Sequence, residues 1–128
     1  MNSCTFCGRL TADPQLVGEG KNLRLSFTLA VDRDRKDAEG NRVTDFLDFV
    51  CWRGTAEFVA QHFRKGDSMI VVNAREETRE YTSTSGEKKR KNEHVISSAT
   101  SIYFGNRRRT DQENGFNGAY SNEDDFVE

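Results

Sequence analysis

Thr44-Asp45-Phe46-Leu47-Asp48-Phe49-Val50-Cys51-Trp52-Arg53 is the stretch whose reading decides the fold, because it carries large side chains on both faces of one strand. Side chains in a strand alternate, so Leu47, Phe49 and Cys51 share one face while Phe46, Asp48, Val50 and Trp52 share the other. A half-buried strand needs only one apolar face. The rings of Phe46 and Trp52 therefore require either a second core to cover them or a role as an exposed platform on which flat ligands stack.

Upstream, Leu23, Leu25, Phe27, Leu29 and Val31 alternate cleanly toward a core, and Met1 to Leu10 reads as a first strand ending before a turn at Asp13-Pro14. A charged stretch from Asp32 to Arg42, with Gly40-Asn41 as its turn, joins these to the aromatic strand. Downstream the period changes. Ala56, Val59, Ala60 and Phe63 fall on one helical face, with Thr55 able to cap the start and Gly66 just past the end. Strand character resumes at Met69 to Asn73 and runs through Arg75, Arg79 and Tyr81 to a Ser83-Thr84-Ser85-Gly86 turn. A returning strand follows from Glu87, and His94 to Phe104 reads as the last strand. This order predicts an all-β chain: a five-stranded Greek-key barrel of the OB-fold type, with one helix between the third and fourth strands. Periodicity alone leaves other small barrels open.

At 128 residues with 34% hydrophobic residues, the chain can build one domain around one core. It has no apolar stretch near membrane length and no charged-then-apolar N-terminus, so a soluble, cytoplasmic protein with no membrane partner is expected. Three cysteines, Cys4, Cys7 and Cys51, suit a reducing compartment better than a disulfide scaffold. The net charge of −2 is unevenly divided. Residues 1–104 hold 16 of the 19 Lys and Arg and 15 of the 21 acids, a net of +1, which leaves −3 on residues 105–128. The composition divides the chain into a barrel domain over 1–104, a flexible linker over 105–120, and an acidic, disordered tip over 121–128.

Catalytic chemistry has little to stand on. His62 and His94 sit in no metal or nucleophile motif, and a lone Cys4-Thr5-Phe6-Cys7 pair lacks the four ligands of a structural zinc site. Core or barrel-wall packing is the reading for these cysteines, with no metal and no cofactor expected. The basic residues say more. Arg9, Arg24, Arg33, Arg35, Arg53, Arg75, Arg79 and the run Lys88-Lys89-Arg90-Lys91 are spread through the same strands and hairpins as Phe46, Trp52 and Tyr81. Each can be solvated surface, Trp52 can be a core or subunit contact, and Tyr81 can be a cross-strand packing residue. Interleaved with rings, the same cations can instead hold phosphates while the rings take bases.

The chain resembles the bacterial single-stranded DNA-binding proteins of replication and repair. The likeness runs in order from Gly8-Arg9-Leu10-Thr11-Ala12-Asp13-Pro14 through Phe27-Thr28-Leu29-Ala30-Val31, Thr44-Asp45-Phe46, Val50-Cys51-Trp52-Arg53, Ala56-Glu57 and Arg64-Lys65-Gly66. It continues to Arg79-Glu80-Tyr81 and the Gly86 turn, so it spans residues 1 to about 104. The resemblance implies an OB-fold that assembles as a homotetramer and wraps single-stranded DNA without sequence preference in replication, recombination and repair. Bases would stack on Phe46, Trp52 and Tyr81 while basic side chains hold the backbone. It also implies a nucleoid-associated, non-enzymatic protein whose acidic tip, Glu123, Asp124, Asp125 and Phe126, recruits replication and repair proteins.

Four features depart from the family pattern. Arg33, Asp34 and Arg35 stand where many relatives place a further ring, and Asp48 lies between the two platform rings, where it would repel a phosphate. Asn73-Ala74 stands where Gly is usual in a segment one residue longer, which predicts a bulge. The tip ends Asp-Phe-Val-Glu and not on its phenylalanine. The short linker and altered tip would suit a phage or mobile-element member. Two other classes compete: a primosomal accessory module of the same fold, which would lack the acidic tip, and an enzyme using the cysteines.

Overall fold

The computed structural model describes residues 1–105. Seven strands and one helix follow in the order β1 (Cys4–Leu10), β2 (Gln15–Val17), β3 (Arg24–Lys36), β4 (Arg42–Trp52), α1 (Arg53–His62), β5 (Ser68–Thr82), β6 (Lys88–Ile96) and β7 (Ile102–Phe104). Five of them close a ring, β1-β3-β4-β6-β5 and back to β1, while β2 adds to β3 and β7 adds to β5. The β4–β6 contact is the parallel pairing that completes the ring. This is the five-stranded OB-fold barrel with its helix between the third and fourth long strands, as the sequence predicts.

The barrel closes because alternation supplies each long strand with one apolar row. Leu25, Phe27 and Leu29 from β3, Phe49 and Cys51 from β4, and Met69 and Val71 from β5 are all buried in one cluster. The helix plugs one end of that cluster with Ala56, Val59 and Phe63. Burial pushes the Cys51 thiol up to about 12, so it remains a neutral packing atom. Gly8 is needed where β1 crosses β3: a Cβ there would stand 2.6 Å from the Ala30 carbonyl oxygen.

Four local expectations change. The first strand starts at Cys4, not Met1. The last strand divides, because β6 runs unbroken from the hairpin to Ile96 and a short turn at Ala99–Ser101 separates it from β7. Thr55 does not cap the helix. Trp52 occupies the cap position with no side-chain hydrogen bond, and Thr55 is buried within the helix. The cysteines also separate: Cys51 is in the core, Cys4 is half-buried, and Cys7 is exposed instead of packed.

The expected bulge is present. Three residues of β1, Cys4 to Phe6, face four of β5, Ala74 to Val71, and Asn73 within that interval adopts a left-handed φ of 57°. The linker over 105–120 and the tip with Glu123, Asp124, Asp125 and Phe126 lie outside the described residues, apart from Gly105.

Candidate nucleic-acid interface

Alternation brings the even-numbered residues of β4, the odd-numbered residues of β6 and, past the bulge that reverses its parity, the odd-numbered residues of β5 from Arg75 to Tyr81 to one outer face of the barrel. Along the β3–β4 ladder, Arg24 stands opposite Trp52, Ser26 opposite Val50, Thr28 opposite Asp48, and Ala30 opposite Phe46. The face continues through Val50 beside Val95 on β6. On β5 it reaches Arg75 opposite Val95, Glu77 opposite Glu93, Arg79 opposite Lys91, and Tyr81 opposite Lys89.

The three rings on this face are open to solvent: Phe46 is 66% exposed, Tyr81 45% and Trp52 42%. Within the subunit, Trp52 is therefore not a core residue. Phe46 and Trp52 are six residues apart on one strand, roughly 20 Å at about 3.3 Å per residue, so they form separate stations along the face. Tyr81 lies beyond the barrel on the extended β5–β6 hairpin. That hairpin is held in register by its turn, where Ser83 N donates to the Glu87 carbonyl at 2.8 Å and Gly86 takes a φ of 89°.

Acids and bases on the face are interlocked. Asp48 accepts from Thr28 Oγ1 at 2.7 Å, and its other oxygen lies 3.2 Å from Lys91 Nζ. The carboxylate that should repel a phosphate is thus paired with a lysine on the same face. Beneath it, the buried His94 donates from Nδ1 to the Asp48 carbonyl at 3.0 Å and fixes the backbone there. Arg75 pairs with Glu77, and Arg79 Nη1 lies 3.6 Å from Glu93 Oε2. Arg24 and Lys89 carry no ion pair among the described residues.

Other basic candidates point elsewhere. Strand parity splits the run at 88–91: Lys89 and Lys91 join the ring face, while Lys88 and Arg90 lie on the reverse of the hairpin opposite Thr82 and Glu80. Arg90 Nε is 3.6 Å from Glu80 Oε2. Arg33 leaves the ring face as well, and donates from Nε and Nη2 to the two oxygens of Asp45, each at 3.0 Å. That hydrogen-bonded pair holds the Asp45 carboxyl below its ordinary value and raises Arg33 above its own. Arg9 Nη1 donates to the Gly66 carbonyl at 3.0 Å. Arg35 is exposed near the end of β3. Arg53 turns the chain from β4 into the helix with a left-handed φ of 50°, its N–H donating to the Leu23 carbonyl at 2.7 Å.

Glu77, Glu93 and Val95, which lies beside the expected Val50, are parts of this face that attention to rings and cations misses. The alternation that placed Arg79, Tyr81 and Lys91 also placed the glutamates. Among the described residues, no three His, Cys, Asp or Glu side chains gather as a metal site, and no helix is long and apolar enough to cross a membrane.

The model of the single-strand binding protein family matches residues 1–102. The chain is 37% identical over 123 residues to single-stranded DNA-binding protein 3 of Listeria innocua, a match covering 95% of this chain and 72% of that protein. It is 39% identical over 89 residues to single-stranded DNA-binding protein 1 of Lactococcus lactis, covering 69% of this chain and 59% of the relative. The chain thus spans little more than half the length of some curated relatives. A solved chain from the Plasmodium falciparum SSB complex with ssDNA superposes with a TM-score of 0.70 over 83% of this chain and 96% of its own length. At 22% identity that likeness speaks to the fold.

Proposed function

This chain belongs to the single-strand binding protein family, and we propose that its ring-bearing face binds single-stranded DNA during replication, recombination and repair. The observation that carries this reading is one exposed face holding Phe46, Trp52 and Tyr81 with Arg24, Arg75, Arg79, Lys89 and Lys91 among them. Bases stack on the rings and phosphates lie along the cations, an arrangement tolerant of sequence because every base has a π-face. Arg9, Arg33, Arg35, Arg53, Lys88 and Arg90, off this face or at its edges, serve a strand that wraps around the barrel.

The protein acts as a homotetramer in the cytoplasm, at the nucleoid, and is a binding protein rather than an enzyme. An open strand edge supports the assembly: β1 pairs with β5 along Cys4 to Arg9 but with β3 only at Arg9 and Leu10, which leaves one side of its first half available to a second copy. The acidic tip at 121–128 recruits replication and repair proteins through Phe126, a role resting on sequence alone.

Titration of Trp52 fluorescence with oligothymidylates of increasing length tests the reading. Saturable quenching, with affinity falling as salt rises, is expected; no quenching and no complex at low salt would refute it. Light scattering should give a mass near four chains, and a monomer would refute the assembly. Deleting residues 121–128 should abolish capture of repair proteins while oligothymidylate binding persists; unchanged capture would refute the tip's role.

A further inference from the structure

Beside Trp52 the ring face opens into a recess of about 310 Å³. Its floor is apolar, formed by Val50 and Val95, and its far wall carries Glu77, Arg79 and Glu93. Glu77 is engaged by Arg75. Glu93 is different: its side chain is only 16% exposed, yet its carboxylate accepts no hydrogen bond within the protein, the nearest guanidinium nitrogen of Arg79 standing 3.6 Å away. A carboxylate is an acceptor-only group, and this one keeps its acceptor sites open to whatever enters the recess. Here it faces a recess next to a stacking ring, with a guanidinium donor at its side.

We propose that this recess reads the base stacked on Trp52 and favours guanine. Guanine's Watson–Crick edge presents two adjacent donors, the N1 and N2 hydrogens, followed by the O6 acceptor. The two donors match the carboxylate of Glu93 and the acceptor matches Arg79. Thymine offers one N–H between two carbonyl oxygens, and cytosine and adenine each set a ring-nitrogen acceptor beside their amino group. Each of these three directs an acceptor at the carboxylate. The inference rests on the single-stranded DNA reading above and adds to it a base preference at one station.

The test uses the full chain and short labelled oligothymidylates whose central residue is thymine, guanine or hypoxanthine, the last differing from guanine only by the missing 2-amino group. Fluorescence anisotropy should show the guanine oligonucleotide bound roughly fivefold more tightly than the hypoxanthine one, at the low end for a bidentate base contact. In Glu93→Gln the two should bind within about twofold of each other, since the amide sets one acceptor oxygen beside a donor NH2 and cannot pair with two adjacent donors. Equal binding of guanine and hypoxanthine by the parent would overturn the proposal, and that comparison needs no folded variant. A guanine preference that survives intact in Glu93→Gln would overturn it as well. Binding of none of the three would instead overturn the single-stranded DNA reading, and the base preference with it.

Discussion

On its inner face β4 sends Phe49 and Cys51 into the core, with Leu47 packed against its edge; one residue out of step, on its outer face, it sends Phe46, Asp48 and Trp52 to solvent around a buried Val50. The inner face is neutral and ring packs on ring: Phe49 stacks on Phe27 at 5.3 Å and meets Phe6 edge-on at 5.2 Å. The outer face sets its rings apart and fills the intervals with paired charge, Asp48 with Thr28 and Lys91 and, farther across, Glu93 with Arg79. Both faces use aromatic side chains, but only the inner ones gain nearly full burial, at about 25 cal/mol per Å² of apolar area, while Phe46 and Trp52 keep much of their surface in solvent. The outer rings therefore contribute less to folding than the inner ones, and folding alone does not account for their exposure.

That contrast breaks most visibly through a pair of phenylalanines three residues apart. Phe49→Ala should lower unfolding free energy by about 3–5 kcal/mol, the range for emptying a buried ring site, a large part of the roughly 5–15 kcal/mol available to a small domain. Phe46→Ala should leave stability within about 0.5 kcal/mol, as surface changes do, while weakening oligothymidylate binding by about 1–3 kcal/mol. Urea unfolding and fluorescence titration of both variants measure this. Comparable loss of stability in the two would mean that Phe46 is part of a core, intramolecular or between copies, and the division of β4 into folding and binding faces would fail.

The fold was legible because its signals are local. Alternation in Leu23 to Val31, the switch to helical period at Ala56 to Phe63, and the turn at Ser83 to Gly86 each depend on neighbouring residues, and the closed ring follows once the strands are ordered. The rings of the candidate site were legible for the same reason. What alternation could not give was the partner of each charge. Asp48 reads as a repulsive group until Lys91, 43 positions later in the chain, is brought within 3.2 Å by the β4–β6 contact. Arg33 reads as an unpaired cation until Asp45, twelve residues on across the β3–β4 hairpin, accepts from its Nε and Nη2, which leaves its remaining N–H donors for a phosphate. The helix starts three residues ahead of the expected Thr55 cap, because Arg53 enters it through a left-handed φ, a conformation that non-glycine side chains disfavour and that propensity does not foresee. The hairpin register was in reach, since counting from its turn puts Glu77 and Glu93 with Tyr81, but a search for cations and rings passes over acids.

The same distinction between faces can be sharpened within the run at 88–91, where four cations adjacent in sequence are divided by strand parity. Lys89 and Lys91 lie with Tyr81 and Arg79; Lys88 and Arg90 lie with Thr82 and Glu80 on the reverse side. Each phosphate contact to a single strand contributes about −0.7 to the slope of log affinity against log salt. Replacing Lys89 and Lys91 by Gln should therefore flatten that slope by up to roughly 1.4 for an oligonucleotide short enough to occupy the ring face of one subunit. The loss will be smaller to the extent that Lys91 is already paired with Asp48 in the unbound protein, because its release from that carboxylate offsets part of the phosphate contact. Replacing Lys88 and Arg90 should leave the slope for the short oligonucleotide nearly unchanged, and should reduce it only for strands long enough to reach around the hairpin. Salt titrations of both double variants with a short and a long oligothymidylate separate these cases. Equal flattening by the two pairs on the short strand would mean that the hairpin acts as a diffuse positive arm, and that the assignment of its cations to two faces has no bearing on how the strand is held.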